Sequence, residues 1–147
     1  GDNIYITGQL GRGRQGLTDW NNDKKSSFVE HYFRPKINFK KSKYISELAS
    51  SCIDISDGLI KDLGSICKAS KVGAKIFYED VPITNDIDDL SYGDDYELCF
   101  TSPKRYKENF NKKDFFLIGE ITSDKGIELI KDNVLVDLKK NGWDSFE

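Results

Sequence analysis

Apolar residues along the chain change period several times, and each change marks an element. Near the start Ile4 and Ile6 alternate with polar neighbours and a glycine follows, the period-two pattern of a strand over residues 3–7. Residues 16–33 read as helical, with Asn21, Asn22 and Asp23 predicting a break or an exposed loop, and Pro35 ends the segment. Tyr44, Ile45, Leu48 and Ala49 form an apolar stripe that predicts a helix over 42–50. Cys52, Ile53 and Ile55 read as a short buried strand. Leu59, Leu63, Ile66 and Cys67 then recur at helical spacing, predicting a helix from Gly58 to about Ser70 with Gly73 as its left-handed cap. Strand patterns return at 74–78, 96–101 and 115–121, and a short helix is expected over 103–111. Phe116, Ile118 and Ile121 are candidate core residues, and the segments 126–131 and 134–138 predict a hairpin turning at Asp132-Asn133. Strands and helices mix without strict alternation or internal repeat. The expected fold is α+β, a three-layer α/β/α domain with a mixed sheet.

Composition narrows this picture. A chain of 147 residues fits a single domain, 1–147, that buries roughly two thirds of its unfolded surface. Its 22 basic and 25 acidic residues leave a net charge of −3, which offers no general attraction for nucleic acid, so an anionic substrate must be held locally. No apolar run approaches the roughly 18 residues of a membrane span, and the first residues lack the charged start and apolar core of a signal peptide. A soluble, cytoplasmic protein is expected. Cys52, Cys67 and Cys99 lie far apart among apolar neighbours, the pattern of reduced core thiols, and His31, among Phe28, Tyr32 and Phe33, reads as structural.

Two stretches carry candidate chemistry. In Cys52-Ile-Asp-Ile-Ser-Asp-Gly-Leu59, Asp54 and Asp57 flank a strand-to-helix turn with Ser56 at the N-cap position. Asp54 lies within an apolar strand, where a charge is costly unless it is paired or bound to a cation. Two carboxylates and a hydroxyl make an all-oxygen set of the kind Mg²⁺ prefers; Asp57 equally fits a capping acid at the positive end of a helix dipole. In Tyr92-Gly-Asp-Asp-Tyr-Glu-Leu98, a Gly-Asp turn feeds a strand. Other patterns are weaker. Gly11-Arg-Gly-Arg-Gln-Gly16 has the spacing of a dinucleotide-binding turn but lacks a second strand close behind it. Lys36, Lys40, Lys41 and Lys43 read as a solvated face, and residues 85–89 as a solvated acidic loop without the glycine and distal glutamate of an EF-hand.

Those two stretches, together with residues 1–11, Gly16-Leu17, Arg34-Pro35 and Gly142-Trp-Asp-Ser-Phe146, occur in an order that resembles the carboxyl-terminal domain of the thiamine-monophosphate kinase family. That family belongs to the aminoimidazole-ribonucleotide synthetase superfamily, whose carboxyl-terminal domain type is the fold implied. The resemblance implies transfer of the γ-phosphoryl group of ATP to thiamine monophosphate, giving thiamine diphosphate, with Mg²⁺ required. It places Mg²⁺ on Asp54 and Asp57, ATP on Ser56, and thiamine monophosphate on Asp94 and Trp143. Asp94 stands where the family commonly has glutamate, so the substrate contact could pass to Asp95 or Glu97; Tyr92 replaces a common glycine, and Arg12 and Arg14 replace small or acidic residues. It also implies that an ATP-binding amino-terminal domain, through which such enzymes form homodimers, is absent from these residues, and that the fragment alone is inactive. The alternatives are a non-catalytic ligand-binding or regulatory module, or an ATP-dependent synthetase of the same superfamily acting on another substrate.

Overall fold

A computed structural model describes residues 1–37 and 39–137. Among these, the strands β1 (Asn3–Ile6), β2 (Ser51–Asp54), β3 (Gly73–Phe77), β4 (Leu98–Ser102), β5 (Phe116–Thr122), β6 (Gly126–Lys131) and β7 (Val134–Val136) form one sheet. Its order is β2-β4-β1-β5-β3-β6-β7, with β3 and β6 parallel and the other neighbours antiparallel. The α-helices among the described residues are α1 (Arg12–Asn21), α2 (Ser27–Phe33), α3 (Phe39–Leu48) and α4 (Leu59–Ser70).

Alternation along the strands sorts side chains onto two faces. Ile4, Ile6, Ala74, Ile76, Cys99 and Ile118 pack with Leu59, Leu63 and Cys67 of α4, whereas Tyr5 and Phe100 point the other way, to Ile45 of α3, Phe110 and Phe115. The second core is aromatic: Tyr5 and Phe100 stack with centroids 5.2 Å apart, and Phe110 lies 4.7 Å from Tyr5. Helices therefore cover both faces of a mixed sheet, the expected three layers. Ile118 is fully buried, with Phe116 and Ile121 packed at the edge of the same core. The hairpin turns where expected, because Asp132 (φ 51°) and Asn133 (φ 61°) both take the left-handed conformation its two-residue turn requires.

Several local expectations give way to tertiary contacts. Helix α1 begins at Arg12, not Gly16; it breaks after Asn21 as expected, and Ser26 caps α2 by accepting from the Val29 amide at 3.3 Å. The left-handed cap of α4 is Lys71 (φ 59°), while Gly73 begins β3. Strand β2 is at the edge of the sheet with Cys52 and Asp54 exposed, so Cys52 is not a core thiol and the charge of Asp54 meets water rather than an apolar interior. Lys41 leaves the solvated lysine face, its ammonium donating to the Thr7 carbonyl at 2.9 Å and the Asp114 carbonyl at 3.1 Å.

Candidate functional site

The two stretches singled out in the sequence meet at one end of the sheet. β2 and β4 pair from Ser51↔Thr101 to Asp54↔Leu98, and the pairing runs on past the strands. The Ile55 amide donates to the Glu97 carbonyl at 2.7 Å, the Tyr96 amide to the Ile55 carbonyl at 2.9 Å, and the Asp94 amide to the Ser56 carbonyl at 3.0 Å. Backbone bonding thus carries Asp54, Ser56 and Asp57 on one segment to Asp94 on the other. Their charges share one neighbourhood: Asp94 and then Asp54 help raise the Tyr96 phenol, which donates to Asp94 Oδ1 at 3.3 Å. Glu97 is turned inward from this rim, accepting from the Thr7 hydroxyl at 2.6 Å.

Ser56 is not the cap of α4. Gly58 holds that position at φ 114°, a conformation open to glycine, and the turn before it is tied by a residue the sequence reading passed over. Asp62, 6% exposed in the first turn of α4, reaches back so that its Oδ2 accepts from the amides of both Ser56 and Asp57 at 3.0 Å. Burial, first, and then the nearby charges of Asp57 and Asp54 raise its carboxyl above the ordinary range, against the pull of the two amides. An acid in a first helical turn after Ser-Asp-Gly is the signal that could have found it. Asp57 itself pairs with Lys61 at 3.1 Å, an i,i+4 contact on the surface.

The glycine-rich turn holds no room for a phosphate. Asp95, 1% exposed, occupies the amino terminus of α1, with Oδ2 accepting from the Gly11 amide at 2.8 Å and Oδ1 from the Gly13 amide at 3.0 Å. Its burial pushes the carboxyl up to about 6, opposed by the amides of Gly13, Gly11 and Arg12. The chain's own carboxylate thus fills the anion position a helix start offers. The glycines serve close packing instead: a Cβ on Gly11 (φ 83°) would lie 2.1 Å from the Asp89 carboxyl carbon, and one on Gly13 2.5 Å from the Asp94 carbonyl oxygen.

Arg14 faces acids. Its guanidinium donates to Asp86 at 2.7 Å and Asp89 at 3.0 Å and lies 4.7 Å over the Tyr92 ring. Asp89 is fully buried and also accepts from the Thr84 and Asn85 amides, so the expected solvated loop is folded around that carboxylate, with Asp86 and Asp88 outward. Nearby, His31 is buried with its Nε2 unpaired; burial and then the charge of Arg12 lower its pKa. Trp143 lies outside the described residues.

Comparison with known proteins places this arrangement. The family described as AIR synthase related protein, C-terminal domain, matches residues 1–132. The chain belongs to that family. Within it, the thiamine-monophosphate kinase of Buchnera aphidicola subsp. Schizaphis graminum is 37% identical over 171 residues, covering 99% of this chain and 53% of that protein. The Escherichia coli K12 thiamine-monophosphate kinase is 34% identical with the same coverage. AaThiL complexed with AMPPCP and TMP matches this AIR synthase related domain with a TM-score of 0.83 at 28% identity, over 97% of this chain and 50% of that one. The chain spans about half the length of the curated relatives it matches. No helix among the described residues is long and apolar enough to cross a membrane.

Proposed function

We propose that this domain is the carboxyl-terminal half of a thiamine-monophosphate kinase, which transfers the γ-phosphoryl group of ATP to the phosphate of thiamine monophosphate and releases thiamine diphosphate and ADP. The observation that carries the reading is the backbone pairing of the 54–57 turn with the 94–97 turn, which groups the oxygen-bearing side chains Asp54, Ser56, Asp57 and Asp94 on one rim. The match to AaThiL in complex with AMPPCP and TMP supports the choice of substrates.

Asp54 and Asp57 suit Mg²⁺ in kind: both are carboxylates, Asp54 is exposed, and Asp57 makes a surface pair with Lys61 that a stronger cation would displace. Among the described residues no three such groups converge on one point; phosphate oxygens, water and a second domain would have to complete the shell. Bound there, Mg²⁺ would neutralise charge on the transferring phosphoryl group. Asp62 orients the Ser56–Asp57 amides, Ser56 would contact ATP, and Asp94 and Trp143 would hold thiamine monophosphate. An ATP-binding amino-terminal domain completes the site and forms the homodimer, so this chain alone has no useful turnover; the cytoplasm is the expected compartment. The test is thiamine diphosphate production from ATP, Mg²⁺ and thiamine monophosphate by the protein that joins this chain to that domain. Equal amounts of thiamine diphosphate and ADP are expected, and ADP without thiamine diphosphate would overturn the assignment.

A further inference from the structure

The backbone on either side of Asp95 is in an unfavourable conformation. Asp94 has φ 63° and Tyr96 φ 54°, left-handed values that side-chain-bearing residues adopt at a cost and keep only where their surroundings impose them. For a bulky Tyr this is an outlier. The residue between them supplies the constraint, because both oxygens of Asp95 are clasped by α1, one by the Gly11 amide and the other by the Gly13 amide. A second restraint is steric, since α1 approaches so closely at Gly13 that a Cβ there would lie 2.5 Å from the Asp94 carbonyl oxygen and 2.9 Å from the Asp94 Cβ. On the far side the Asp94 amide is bonded to Ser56. Asp94 is therefore held between α1 and the 54–57 turn.

We infer that Asp95 is a positioning residue for substrate recognition: by clasping the Gly11 and Gly13 amides it fixes the left-handed backbone that points the Asp94 carboxylate to the rim where thiamine monophosphate binds. The inference rests on the proposed kinase reading and adds to it the device that sets the geometry of its substrate wall. Asp95 touches no substrate, being buried beneath the rim.

The geometry dictates the variants. Asp95→Asn turns one acceptor oxygen into an NH₂ group facing an amide N–H, so one of the two bonds becomes a repulsion. Gly13→Ala removes no charged or hydrogen-bonding group, favours helix α1 by propensity, and displaces Asp94 from the other side. Leu129→Ala, in β6 across the sheet, supplies a core lesion remote from the rim. In the full-length protein, steady-state kinetics should show the KM for thiamine monophosphate raised about tenfold or more in both Asp95→Asn and Gly13→Ala, with the KM for ATP within about twofold of wild type. Leu129→Ala should lower the melting temperature with both KM values unchanged. Wild-type protein that makes no thiamine diphosphate would refute the kinase reading itself. Active wild type with an unchanged KM for thiamine monophosphate in Gly13→Ala would overturn the positioning role alone, even if Asp95→Asn fails to fold.

Discussion

Asp62 offers the sharpest separation of charge from hydrogen bonding in this fold. A single oxygen, Oδ2, accepts from both the Ser56 and the Asp57 amides. Asp62→Ala removes that acceptor and leaves two donors in a half-buried turn. Each orphaned donor costs about 1–3 kcal/mol, and the turn's partial access to water puts the sum near the lower end, about 2–3 kcal/mol. For a chain of this length that is a fall of roughly 4–12 °C in melting temperature. Asp62→Asn is different, because an amide oxygen in the same place accepts both bonds while the charge is gone, and its cost should stay within about 1 kcal/mol. The pH dependence separates them further. Burial raises the folded carboxyl above its ordinary value of 3.8, so just above that pH the unfolded chain has lost a proton that the folded chain still holds. Stability from this group therefore falls as pH rises from that value through the raised folded one, then levels off. Urea unfolding of wild type, Asp62→Ala and Asp62→Asn between pH 4 and 8 measures all of this. Asp62→Asn as unstable as Asp62→Ala at neutral pH would show that the charge, not the shared oxygen, holds the turn.

Other consequences follow from single contacts. Asp54→Asn and Asp57→Asn in the full-length enzyme should reduce turnover at least about a hundredfold, since metal charge stabilisation is worth several kcal/mol. Their melting temperatures should scarcely move, because Asp54 is exposed and the Asp57–Lys61 pair is a surface contact; a destabilised but fully active Asp57→Asn protein would make it a capping acid. Arg14→Ala leaves the buried Asp89 with only neutral donors, the Thr84 and Asn85 amides and the Asn85 side chain, and should cost roughly 2–3 kcal/mol in chemical denaturation, where a loss below about 0.5 kcal/mol would mark the contact as idle. In the native protein a thiol reagent should modify Cys52 alone, because Cys52 is exposed whereas Cys67 and Cys99 are buried; rapid labelling of Cys99 would contradict the packing of β4.

The sequence was most legible where a short range decides the structure. The period-two runs, the stripe of α4 and the Asp132-Asn133 turn depend on neighbours within a few positions, and each is found. It was least legible where the partner is remote. Gly13 and Gly16 argue against a helix by propensity, yet α1 runs through both, because the Asp94 backbone and the α2 backbone at Phe28 come too close for a side chain. The acid at the start of α1 comes from position 95, some 84 residues away from Gly11, so no local pattern announces it. Asp89 reads locally as one more solvated acid because Arg14, which neutralises it, is 75 residues away in sequence. At the rim, the motifs identified which segments matter, and only the pairing of β2 with β4 showed that they face one another.

The most direct test of the account is a crystal structure of the full-length protein with Mn²⁺ in place of Mg²⁺, a non-hydrolysable ATP analogue and thiamine monophosphate. An anomalous metal peak is expected within about 2.0–2.3 Å of a carboxylate oxygen of Asp54 or Asp57, with the thiamine phosphate on the same rim beside Asp94. Metal and substrate bound elsewhere, with Asp54, Asp57 and Asp94 facing only solvent, would contradict it.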